Sequence, residues 1–211
     1  MKSIKKIKHI LLKLKRDIIF HNANNRDIYF IISTGRTGTN FMESFLNAAS
    51  QEVFCIHEPK PDLFNLSLEK IRLKKPSKLN MQKLKEARYE ILNEALKQNK
   101  SKYIESNPFA TFLIPEINKV FKNVKFIFIY RDIETYLLSG LNKSHRGNGV
   151  NNFYAEYDNR KRLQPSDFEY DKYAKDWSDL SRAQKITWYW NKCNIYLRTF
   201  AKENTAQVLE L

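Results

Sequence analysis

The chain has little of what would fix its class at once. It holds only two cysteines, Cys55 and Cys193, isolated and without CxxC or metal-ligand spacing. They read as reduced, buried thiols in a reducing compartment, not as a disulfide framework. The four histidines, His9, His21, His57 and His145, are too scattered for a zinc site, and no metal is expected. No apolar run approaches the ~18 residues of a membrane-spanning helix. At the basic N-terminus the longest such run is Ile10-Leu11-Leu12, too short for a signal-peptide core, so a cytoplasmic protein is expected. There are no internal repeats, and no Gly-x-x-x-x-Gly-Lys-[Ser/Thr] loop of the ATP type. Acidic residues are also in deficit: 37 Lys and Arg against 23 Asp and Glu give a formal net charge of +14. That balance implies attraction to nucleic acid, anionic lipid or an anionic small substrate.

What is present is enough for one α/β domain with appendages: 211 residues, 42% of them apolar. The chain is organised around Tyr29–Leu46. Tyr29–Ile32 is a short apolar run suited to a buried parallel strand. Ser33-Thr34-Gly35-Arg36-Thr37-Gly38-Thr39-Asn40 is small and polar, with two glycines free to take φ > 0. A helix then opens, with Asn40 as the expected cap, Glu43 placed as in a capping box, and Phe41/Phe45 and Met42/Leu46 at i, i+4. A loop feeding a helix N-terminus is an anion site, because the first helical N–H groups lack partners and the dipole adds positive charge. Arg36 adds a cation able to fork two phosphate or sulfate oxygens. Its position between the glycines sets this loop apart from the ATP-type P-loop.

Residues 1–22 read as a basic amphipathic helix whose stripe is Ile4, Ile7, Leu11, Leu14 and Ile18. Two readings stand: a helix lying on an anionic membrane surface, such as the inner face of the cell membrane, or a helix packed on its own domain. The α/β domain is placed at 27–211. Val53–Ile56 is a second strand, ending in His57-Glu58-Pro59, where a carboxylate at the carboxyl edge of a sheet is a plausible acid or base. Pro59 is expected to hold Glu58 extended. Residues 63–79 are basic, and a helix follows over about 81–97. Lys102–Glu105 is a third strand, and a helix over 109–121 is interrupted or restarted at Pro115. Val124–Tyr130 is the most strand-like segment, followed by Arg131 and by Asp132, which can cap a helix running through Ser139. Residues 142–170 mix aromatic, basic and Asn residues and suggest a lid or substrate loop. Single-stranded nucleic acid binding ranks lower, since no RNA-binding motif accompanies them. A helix over 179–202 carries Ile186, Trp190, Cys193 and Leu197 as core, and 206–211 reads as a fifth strand. Alternating strands and helices predict a three-layer fold, a mostly parallel five-stranded sheet flanked by helices.

The two signals together resemble the sulfotransferase family that uses 3′-phosphoadenosine 5′-phosphosulfate (PAPS), its carbohydrate-type and bacterial members above all. The resemblance runs from about residue 27 and implies a P-loop-NTPase-like fold. It implies that Ser33–Asn40 binds the 5′-phosphosulfate, with Arg36 as its cation, and that Arg131 and Ser139 hold the 3′-phosphate. It also implies that His57-Glu58-Pro59 faces the acceptor, with Glu58 the preferred catalytic base over His57, and His145 next. Cytosolic members carry Lys where this chain has Arg36. Family members usually continue past the fifth strand, so a missing C-terminal segment is expected. The reading is sulfuryl transfer to a hydroxyl of a small-molecule or glycan acceptor, a carbohydrate or glycolipid. The competing readings are an ATP-using kinase-like enzyme and a non-catalytic membrane- or nucleic-acid-binding protein.

Overall fold

The computed structural model describes residues 2–73, 77–142, 153–156, 158 and 160–211, with side chains inside the first helix described from residue 6 except 8 and 9. Five strands form one parallel sheet in the order β2-β3-β1-β4-β5: β1 Asp27–Ile32, β2 Val53–His57, β3 Lys102–Ser106, β4 Lys125–Phe128 and β5 Val208–Glu210. Seven α-helices accompany them among the described residues: α1 Lys2–Ala23, α2 Thr39–Ala49, α3 Phe64–Leu73, α4 Lys78–Lys97, α5 Ile114–Val120, α6 Ile133–Leu141 and α7 Arg182–Glu203.

The central strand β1 shows why the fold has three layers. Ile28, Phe30 and Ile32 alternate onto one face and join a core with Phe20, Leu84, Ile117, Phe121 and Leu197, from the helices of that side. Ile31 turns the other way, into a cluster with Val53, Cys55 and Ile104 that Met42 and Leu46 of α2 cover. Both faces are dry, as an all-parallel sheet requires. The connection leaving β1 runs to β2 on one side of the sheet, and that leaving β4 runs to β5 on the other. The carboxyl ends of β1 and β4 therefore flank a topological switch point, the crevice where open α/β sheets bind ligands.

Several local expectations need correction. Asn40 does not cap α2: the cap is Gly38 in the left-handed region, with no side-chain bond. Thr39 is already helical, so Asn40 sits too far inside to reach back to a free N–H, and no capping box with Glu43 forms. Phe41 and Phe45 stack at 5.6 Å but lie exposed, leaving Met42 and Leu46, partly buried, as the pair that packs on the sheet. Residues 64–73, read only as basic, form α3, which buries Leu66, Leu68 and Ile71. The segment around Pro115 splits into a 3-10 turn, Pro108–Leu113, and α5, with Pro115 in the first helical turn where its missing N–H costs nothing. β4 stops at Phe128, so Arg131 lies beyond the strand proper.

Candidate functional site

Three segments meet at the switch point. The loop after β1 has Gly35, Arg36 and Gly38 at φ 76°, 57° and 84°. Left-handed residues of this kind curl the backbone into a concave turn whose N–H groups can converge on an anion. Arg36 takes this conformation without being glycine, a strain on the order of 1–3 kcal/mol that the surroundings must over-determine. They do so visibly. The Ser33 hydroxyl accepts from Gly35 N–H at 3.0 Å, the Thr111 hydroxyl donates to Ser33 O at 2.9 Å, and the Thr34 hydroxyl donates to Gly35 O at 3.1 Å. Thr39 is buried, and its carbonyl accepts from the Ser106 hydroxyl at 2.8 Å. The Thr37 hydroxyl is buried without a hydrogen-bond partner, and Asn40 is exposed.

The second segment is the start of α6. Asp132 caps it, accepting from Thr135 N–H at 2.9 Å. Arg131 donates through Nη1 to Arg36 O at 2.6 Å and through Nε to the Thr135 hydroxyl at 3.0 Å, while its own carbonyl accepts from Trp190 Nε1 at 2.9 Å. In return Arg36 Nε donates to the Ser139 hydroxyl at 3.1 Å. Two motifs about a hundred residues apart in the chain are thus tied together in both directions. Neither terminal nitrogen of Arg36 has a partner among the described residues, which leaves the fork free for oxygens of a bound anion.

The third segment is His57-Glu58-Pro59. His57 Nδ1 lies 2.9 Å from Ser106 O. A carbonyl can only accept, so Nδ1 carries a proton, and in the neutral form of the ring the lone pair lies on Nε2. Nε2 lies 3.7 Å from Glu58 Oε1. Glu58 is not extended, as Pro59 was expected to make it, but sits at φ 41°. Its N–H donates to Ser106 O at 3.0 Å, and that bond turns the chain into the left-handed region against the local preference.

These segments line one cavity of about 410 Å³. Its wall includes Thr34, Gly35, Arg36, Gly38, Thr39, Asn40, His57, Glu58, Arg131 and Ser139. Of the residues singled out in the sequence, Ser33 and Thr37 do not reach the cavity wall. His145 lies outside the described residues. Five further residues line the cavity that the sequence did not mark: Pro108, Phe109, Phe153, Arg162 and Tyr189. Arg162 is buried, pairs with Asp158, lies over the Phe153 ring at 4.7 Å, and has a buried Nη2 with no partner. Burial pushes the Tyr189 phenol well above its ordinary pKa, so it stays protonated and keeps a hydroxyl hydrogen to donate. Phe153 and Arg162 come from the stretch read as a substrate loop, so part of that stretch does border the cavity.

A buried ion pair is bonded to two of the segments that approach the cavity. Arg88 of α4 and Glu105 of β3, both 0% exposed, are joined by two bonds of 2.6 and 2.7 Å. Burial opposes the Arg88 charge, but the Glu105 carboxylate outweighs it and holds the guanidinium's pKa above the ordinary value. Arg88 Nη1 also donates to Pro61 O at 2.8 Å, and Asn107 Nδ2 to Glu105 Oε1 at 2.7 Å. The network therefore pins both the loop carrying Glu58 and the turn before Pro108.

Among the described residues no three His, Cys, Asp or Glu side chains assemble as a metal-ligand group, and no helix is long and apolar enough to cross a membrane. Compared with known proteins, residues 29–192 match the model of a sulfotransferase family. No curated protein and no solved structure gives a match.

Proposed function

The chain belongs to the sulfotransferase family, and from that premise we propose that it moves a sulfuryl group from PAPS to an acceptor hydroxyl of a carbohydrate or glycolipid. The observation that carries the proposal is the single cavity shared by the Ser33–Asn40 loop, the Arg131/Ser139 pair and the His57-Glu58 turn. A donor with a 5′-phosphosulfate and a 3′-phosphate has two anionic ends. The cavity offers cations to both, Arg36 for one and Arg131 for the other.

The chain's residues divide the chemistry as follows. The N–H groups of the loop and the Arg36 fork bind the 5′ end and stabilise negative charge as it grows on the bridging phosphate oxygen. Arg131 and the Ser139 hydroxyl hold the 3′-phosphate. Glu58 takes the proton of the acceptor hydroxyl as its oxygen bonds to sulfur. The bond from sulfur to the bridging phosphate oxygen breaks, and adenosine 3′,5′-bisphosphate leaves. His57, with its lone pair on the Nε2 facing Glu58, is the alternative proton acceptor. Phe109, Phe153 and Tyr189 give an aromatic wall against which a sugar's C–H faces can pack, and Arg162 adds a donor for its oxygens.

The test is a melting comparison of the full chain with adenosine 3′,5′-bisphosphate and with ATP. A ligand at a hundred times its dissociation constant adds about 2.7 kcal/mol. Stabilisation by the bisphosphate well above that by ATP is expected. Equal shifts would favour a kinase-like reading, and no shift with either would sink the proposal.

A further inference from the structure

Helix α1 has two apolar faces, and the domain uses only one. Ile19, Phe20 and Ala23 are buried, at 5, 3 and 3% exposure, and Arg16 pairs with Glu86 of α4 at 2.7 Å. At about 100° per residue, these four positions occupy a sector of roughly 100° facing the domain. Ile7, Leu11, Leu14 and Ile18 fall in a narrow stripe centred roughly 160° away. They are 55, 60, 54 and 60% exposed, and Ile10 at 48% widens the stripe. The stripe that dominates the sequence pattern is therefore not the one that packs.

From this arrangement we infer that α1 docks the protein on an anionic lipid surface, its stripe entering the boundary between headgroups and acyl chains. Three observations point to lipid as the occupant. Exposed lysines border the stripe on both sides, Lys15 on one and Lys6 and Lys13 on the other, placed so that their stems can lie along the apolar boundary while the ammonium groups reach lipid phosphates. A groove of about 420 Å³ opens beside the stripe, lined by Lys13, Arg16, Lys78, Lys85 and Lys119 with Asp17 as the one acid. It sits where headgroups would be once the stripe is immersed. The formal net charge of +14 adds long-range attraction to the same surface. A second copy of the chain fits poorly, because pairing two stripes would bring two lysine borders together. Nucleic acid would meet the lysines but leave the leucines wet.

The test uses the full chain and vesicles of phosphatidylcholine with and without about a third phosphatidylglycerol. The protein is expected to float with the anionic vesicles and not with the neutral ones, and to detach as salt rises from about 0.1 M to about 1 M. Leu11→Ser with Leu14→Ser is expected to lower partitioning about tenfold or more. The melting temperature and the affinity for adenosine 3′,5′-bisphosphate should stay unchanged, since both leucines are exposed. Lys13→Ala with Lys119→Ala should weaken binding to anionic vesicles and flatten its salt dependence. Absence of flotation by the native chain overturns the inference, as does undiminished flotation by the leucine variant. A native dimer that the leucine variant turns into a monomer, without vesicle binding, assigns the stripe to self-association and overturns it as well.

Discussion

Arg131 offers the sharpest test of the donor assignment, because its proposed contact with the donor and its observed contact with the Arg36 loop can be separated. Its guanidinium would meet a 3′-phosphate, and its Nη1 already holds the Arg36 carbonyl at 2.6 Å. Replacing Arg131 by Ala removes both. A hydrogen bond to a charged group contributes about 1.5–3 kcal/mol, so loss of the phosphate contact should weaken adenosine 3′,5′-bisphosphate binding by about 10- to 150-fold. The Arg36 contact is also made by a charged group, but its loss acts on a ligand only through the loop, so it should cost less than the direct contact and would affect any ligand of the 5′ loop. Calorimetric titration with the bisphosphate and with adenosine 5′-monophosphate separates the two, because the second ligand lacks the 3′-phosphate. The ratio of the two affinities should collapse in Arg131→Ala, with the monophosphate affinity falling only by the smaller factor. An equal fall for both ligands would mean that Arg131 acts only through the Arg36 loop, and the 3′-phosphate assignment would be wrong. Ser139→Ala should move the same ratio by a smaller factor. The Arg131/Ser139 double variant should fall short of the summed effects, since the two residues are linked through Arg36.

Three other outcomes are expected. Glu58→Gln should lower turnover by about 10²–10⁴ with little change in bisphosphate affinity, and a larger loss in His57→Ala with near-normal Glu58→Gln would move the base to His57. Glu105→Gln should destabilise the fold by about 3–5 kcal/mol in urea denaturation, because it leaves the Arg88 charge buried and unpaired. Glu105→Gln variants as stable as the native chain would show that the pair does not brace the cavity. Burial pushes the thiols of Cys55 and Cys193 up to about 12, so native protein should react slowly with a thiol reagent at pH 8 and unfolded protein quickly. The same shifts have a definite sign for stability. The folded thiols titrate higher than the unfolded ones, so their contribution is intact below about pH 8.5 and is lost as pH climbs from there towards about 12. Fast labelling of the native chain would contradict the burial.

How much of this was legible in the sequence depends on the range of the interaction that decides each feature. The strands were readable because a strand buried on both faces is nearly all apolar, as Tyr29–Ile32 and Lys125–Phe128 show. The glycine-flanked Arg36 loop and the Arg131-Asp132 step were readable because turn and cap chemistry is local. Details set by backbone conformation were not. Asn40 is a good capping residue in isolation, and only the left-handed Gly38 moves the helix start past it. Glu58 precedes a proline and should be extended, and only its bond to Ser106 O, nearly fifty residues away, turns it over.

The β3 terminus makes the same point from the side of function. Ser106-Asn107-Pro108 carries no motif, and its residues are ordinary for the end of a strand. Yet Ser106 holds Thr39 O with its hydroxyl and accepts from both His57 and Glu58 with its carbonyl, so one residue spaces the Arg36 loop from the His57-Glu58 turn. The order β2-β3-β1 is what gives it that position: β3 lies between the strand that feeds His57 and the strand that feeds Arg36. A sequence lists β1, β2 and β3 in order and says nothing of which lies in the middle. The carboxyl end of a middle strand between two site-bearing neighbours is a bridging position whatever residue occupies it. A small donor-acceptor such as Ser suits it, because a larger side chain would force the two loops apart. Ser106→Ala, which removes the hydroxyl and little volume, should therefore leave the sheet intact and loosen Thr39. The loss should appear in bisphosphate affinity, by about 2- to 10-fold, before it appears in stability. An unchanged affinity with a lowered melting temperature would reduce Ser106 to a packing residue.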